Sequence, residues 1–85
     1  MSANPKFNTH VMIMFPEEKP GTATFKYVTS VERSYANWDP GQPAMELSEE
    51  FARDIVYGLT INGYIAMVVK VVKGVELRNP EASTK

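Results

Sequence analysis

Residues 47–72 read LSEEFARDIVYGLTINGYIAMVVKVV, and the fold is decided where one apolar period gives way to another within them. Phe51, Ala52, Ile55, Val56 and Leu59 recur at three- and four-residue spacing, which gathers them on one face of a helix. Ser48 stands where an N-cap is needed, because its hydroxyl can accept a hydrogen bond from a first-turn N–H that otherwise lacks a partner. Glu49 and Glu50 follow, beside the positive end of the helix dipole. Asn62-Gly63 ends the helix, since both residues tolerate the left-handed backbone of a C-terminal cap. Tyr64 to Val72 is then a nearly unbroken apolar, β-rich run. The reading is a helix over 48–61, a stop and a strand over 64–72. Gly58 costs about 1 kcal/mol against alanine in a helix interior, and close packing on the sheet is the expected reason for it. Glu49 and Arg53 make a favourable i,i+4 pair, whereas Glu50 and Asp54 repel.

Upstream, His10 to Phe15 reads as a first strand, with Val11, Ile13 and Phe15 on one side and His10, Met12 and Met14 on the other. Both sides are largely apolar, which suits the centre of a sheet. Pro16 to Gly21 carries two prolines and a glycine and is a turn, so the first two strands form a hairpin. The second strand is expected over 22–31, with Ala23, Phe25, Tyr27, Thr29 and Val31 on its drier side. Residues 32–46 are expected to be one long loop, because Pro40, Gly41 and Pro43 oppose regular structure. Downstream, Lys73-Gly74 suits a turn or bulge and Val75-Glu76-Leu77 is a candidate fourth strand. Residues 1–8 are expected to be a flexible N-terminus, 9–79 a single domain and 80–85 a flexible tail.

The order strand–strand–helix–strand gives an α+β domain. One helix packs on a three-stranded, or with 75–77 four-stranded, mainly antiparallel sheet. Lys26 and its threonines suit an edge, so the first strand takes the centre and the order is 2-1-3. One helix covers only one face of such a sheet. The second face would carry Met12 and Met14, together with either Tyr64, Ala66, Val68 and Val72 or Ile65, Met67, Val69 and Val71. Water would meet a larger apolar patch than monomers usually show. The expected cover is the 32–46 loop, a second copy of the chain or another protein.

The bulk numbers narrow the function classes. Eighty-five residues allow one modest core, and 22% charged with 44% apolar residues is ordinary for a globular domain. A net charge of −1 gives no field that steers the chain to nucleic acid or anionic lipid. The chain has no cysteine, which removes disulfides, thiol nucleophiles and cysteine-ligated metals. With no apolar signal segment at the N-terminus, a cytoplasmic location is expected. Gly58, Thr60, Asn62, Gly63 and Lys70 interrupt the stretch 55–72, so no membrane span is expected.

Residue chemistry points to contact rather than catalysis. His10 is the single histidine and has no evident orienting partner; it reads as a partly exposed strand-end residue. Glu46, Glu49, Glu50 and Asp54 read as a solvated acidic face rather than a metal site. Lys26, Lys70, Lys73 and Arg78 are too interleaved with acids for a nucleic-acid stripe. Tyr35 and Trp38, with Arg33 and Asp39 nearby, combine aromatic area and hydrogen-bonding groups as interface hot spots do, although Trp38 also suits the core. The candidate interaction residues are Tyr35, Trp38, Arg33, Asp39, Met12 and Met14, with no catalytic residue, cofactor or metal. The expected function is a non-enzymatic protein-interaction or self-associating domain, with a homo-oligomer or a protein as partner. The alternatives are a small oligomeric enzyme or ligand-binding domain with a pocket between protomers, and a nucleic-acid accessory protein.

Overall fold

The computed structural model describes residues 6–33 and 35–81. Strands β1 (Phe7–Pro16), β2 (Ala23–Tyr27), β3 (Ser30–Glu32) and β4 (Tyr35–Asn37) precede helix α1 (Glu49–Ile61) and strand β5 (Ile65–Val72). The main sheet is antiparallel with order β2-β1-β5, and β3 and β4 form a separate two-stranded hairpin. This is the expected α+β arrangement, with the first strand central and one helix on the sheet.

The helix forms as its sequence dictates. Ser48 accepts from the Phe51 N–H at 3.1 Å, and the Asn62 side chain donates to the Gly58 carbonyl at 2.8 Å. Gly63 takes φ +94°, the left-handed turn that releases the chain into β5. Ala52 and Leu59 are buried, with Ile55 and Val56 packed around them. They meet Val11, Ile13 and Phe15 of β1 and Ala66 and Val68 of β5. Val28, Val31, Ala36, Trp38, Met45 and Leu47 complete this core, so all of it lies on the helix side of the sheet.

Several elements differ from the sequence reading. β1 starts at Phe7, inside the stretch expected to fray, because Lys6 and β5 extend the ladder there. The second strand is interrupted after Tyr27. Val28 still pairs with Val11, but the Thr29 N–H donates to Asn37 at 2.7 Å, which carries the chain off the sheet into β3. The expected loop therefore contains β4. No fourth strand forms at 75–77 among the described residues. That stretch follows the turn at Lys73-Gly74 and runs beside 43–44, where Ala44 donates to Leu77 at 2.8 Å and Pro43 bridges Arg78. The strap ends at Asn79, which is 2% exposed and bonds β2. Pro80 also holds its place: its carbonyl accepts from Gly41 at 3.1 Å.

Candidate functional site

Alternation along the strands fixes what each face of the sheet presents. With Val11, Ile13 and Phe15 turned to the helix, Met12 and Met14 point the other way. The register places Met12 between Tyr27 and Met67, and Met14 between Phe25 and Ile65. The second face therefore carries Met12, Met14, Phe25, Tyr27, Ile65 and Met67, without a charged side chain among them. Phe25 is 46% and Ile65 44% exposed, and none of the six belongs to the core cluster. Of the two sets that β5 could offer, the structure turns Ile65, Met67, Val69 and Val71 outward.

Among the described residues, cover lies over one end of this face. Asn8 and His10 line a small cavity with Ala44, Val75 and Leu77, so the strap passes over the start of β1. His10 is 5% exposed, not the partly exposed residue that its strand-end position suggested. Its Nδ1 lies 2.8 Å from the Met45 carbonyl oxygen; that oxygen can only accept, so the ring donates. His10 is thereby tied to the backbone. Met12 and Met14 lie beyond the strap.

Of the 32–46 segment, residues 44–46 reach the Asn8–His10 end of the second face, whereas its aromatic part lies on the other side. Trp38 packs on the helix side, with its ring 5.8 Å from Phe15 and 5.3 Å from Tyr64. Between this segment and α1 lies a groove of about 630 Å³. Arg33, Tyr35 and Trp38 line one wall and Phe51, Asp54 and Gly58 the other. Arg33 sits at φ +54°, a conformation uncommon outside glycine and asparagine. Gly58 opens onto this groove, and a Cβ built there meets nothing within 4 Å. Close packing on the sheet is therefore not the reason for this glycine.

The predicted interaction residues thus divide into two sites. Arg33, Tyr35 and Trp38 share the groove, and Met12 and Met14 share the open face on the opposite side. Asp39 belongs to neither: its carboxylate accepts from the Thr29 hydroxyl at 3.1 Å, and its N–H donates back at 3.0 Å. Phe25, Ile65 and Met67 extend the open face, and the alternation along their strands was the signal that could have added them. The basic residues do not converge. Lys26 and Lys70 lie on opposite edge strands; Lys70 meets Glu49 at 3.4 Å and Arg78 meets Glu76 at 2.7 Å. Glu49 also bonds Arg53 at 3.1 Å, the pair expected from their spacing. Among the described residues no acidic or histidine cluster could hold a metal ion, and no helix is long and apolar enough to cross a membrane. Comparison with protein-family models, curated proteins and solved structures finds no match for this chain.

Proposed function

We propose that this chain is a non-enzymatic interaction domain that associates with a second copy of itself through the open face of its sheet. The observation that carries this reading is the uncharged surface of Met12, Met14, Phe25, Tyr27, Ile65 and Met67, which no other part of the described chain covers. Removing each large apolar side chain from water contributes roughly 1.5–3 kcal/mol. A partner selected by charge finds nothing to complement here. A second copy offers the same dry surface across a two-fold axis, where any patch on the axis meets itself.

Light scattering on a size-exclusion column tests the reading. Wild-type chain should elute with a mass above that of one copy, and Met12→Lys, which places a charge at the centre of the face, should lower it. Met12 is on the side away from the core, so the variant should keep its helical circular dichroism. Equal masses for wild type and a folded Met12→Lys would remove the face from the association.

The groove supports a second reading, a ligand site within one chain, because Gly58 leaves room there that packing does not require. An anionic aromatic dye such as anilinonaphthalene sulfonate is the probe. Binding that Gly58→Leu abolishes, with no change in mass, would support this reading; binding that survives would count against it.

A further inference from the structure

The outer edge of β5 is a second contact surface, and its hydrogen-bonding phase can be derived. The Lys73 N–H donates to the Lys6 carbonyl at 2.9 Å, one position beyond the Phe7–Val72 pair. Hydrogen-bonded and non-bonded pairs alternate along an antiparallel ladder. The residues of β5 that bond β1 are therefore Ile65, Met67, Val69 and Val71. Ala66, Val68, Lys70 and Val72 direct their N–H and C=O groups away from the sheet. The far side of β1 agrees with this phase, since Val11 accepts there from Val28 at 2.9 Å and Thr9 from Leu47 at 2.9 Å.

The two edges of the sheet are treated differently. β2 is five residues long, carries Lys26, and has the outward N–H and C=O of Tyr27 closed by Asn79 at 2.7 and 2.9 Å. β5 is eight residues long, has no proline or bulge, and carries Lys70 as its one charge. Among the described residues the one backbone group bonded along its outer edge is the Val72 carbonyl, which accepts from the Val75 N–H at 3.2 Å where the chain turns away. A long apolar edge left in this state is a template for another strand.

We infer that β5 pairs with β5 of a second copy, antiparallel about a two-fold axis, to make one continuous six-stranded sheet. The strand fits itself. With Val69 opposite Val69 of the second copy, Ala66 meets Val72 of that copy and Val68 meets Lys70. This register gives a partner to every outward N–H and C=O from Ala66 to Val72, the Val72 carbonyl accepting from the second copy in addition to Val75. It sets valines across from valine, methionine and alanine, pairs that favour a sheet. It also keeps the two Lys70 side chains from lying directly opposite, each beside its own Glu49. A two-fold axis perpendicular to the sheet leaves both helices on one side and joins the two open faces on the other.

Area gives a second argument for this partner. Three strands over five paired positions present roughly 250 Å² in plan, about a third of the ~800 Å² per partner in a standard interface. Edge pairing doubles the dry face, so two stacked six-stranded sheets bury about twice the area that two single faces do. The inference rests on the self-association reading for its partner, but the edge and the face are separate contacts.

Amide exchange on the full chain, followed by NMR, tests the edge. In wild type, the N–H groups of Ala66, Val68 and Val72 should exchange at least about tenfold more slowly than in Lys70→Pro. That variant removes one outward N–H and crowds the edge while sparing the ladder to β1. Lys70→Ala deletes the charge but keeps the N–H, and should retain wild-type protection. If the outward wild-type amides exchange freely while Met67 and Val69 stay protected, the edge is bare and the inference is overturned; this outcome does not depend on any variant folding. Met12→Lys separates the two readings. Edge pairing predicts that it keeps its outward amides protected and a mass of two copies. A wild type already at two copies and unaffected by Met12→Lys would sink the face and leave the edge standing. A wild type with the mass of one copy would overturn both.

Discussion

Asn79 closes the outward side of β2 with one side chain. Its Oδ1 accepts from the Tyr27 N–H at 2.7 Å, and its Nδ2 donates to the carbonyls of Tyr27 at 2.9 Å and Asp39 at 3.1 Å. The amide thus offers Tyr27 one acceptor and one donor, as a neighbouring strand would, and turns its second donor to Asp39. Asn79→Ala deletes these bonds and strands buried backbone groups, so it should lower stability by roughly 2–4 kcal/mol in urea denaturation. Asn-Pro at 79–80 reads in sequence as a chain break, and its partner Tyr27 is 52 positions away, beyond the reach of any local pattern. Gly58 is the opposite case, plain in the sequence but with its reason visible only in the structure. Its Cβ would enter open space, so Gly58→Ala should stabilise the chain by up to about 1 kcal/mol, read as a higher melting temperature.

At the scale of elements, legibility followed the strength of the local pattern. α1 carries its cap, its acidic first turn, its apolar face and its Asn-Gly stop in consecutive residues, so both ends could be read. Ser48→Ala should cost about 1 kcal/mol in thermal or denaturant unfolding, because the Phe51 N–H then loses its acceptor. β1 and β5 were readable because both their faces are apolar, which in so short a chain suits the centre of the sheet and its partner. β2 was overextended: alternation continues through Val31, but the backbone of Thr29 turns to Asn37 instead. The β3–β4 hairpin was hidden for a related reason. Its strands are three residues each, and its turn includes Arg33 at positive φ where a turn would usually advertise glycine or asparagine. Half of the candidate site was therefore visible, as Met12 and Met14 on one strand and Arg33, Tyr35 and Trp38 on one segment. That these lie on opposite sides of the sheet depends on where the hairpin folds, which no local spacing encodes.

For the whole molecule, the division into a packed side and a bare side has an optical consequence. Trp38 is the single tryptophan, and its neighbours Phe15 and Tyr64 are on the helix side. Dilution that separates copies at the opposite face should leave its emission unchanged, whereas unfolding should shift it to longer wavelength. A spectrum that moves with the mass, at constant helicity, would place the contact at the groove instead. The strand order also bears on how the molecule is made. β1, flanked on both sides in the finished sheet, leaves the ribosome before β5, which must lie against it. Until β5 has emerged from the exit tunnel, the nascent polypeptide holds β1, buried in the finished sheet, with one flank empty. Limited proteolysis of stalled ribosome complexes with a C-terminal linker should find the chain cleavable while β5 is inside the exit tunnel and resistant once it has emerged, so its maturation is an all-at-once event with a window in which chaperones can intervene.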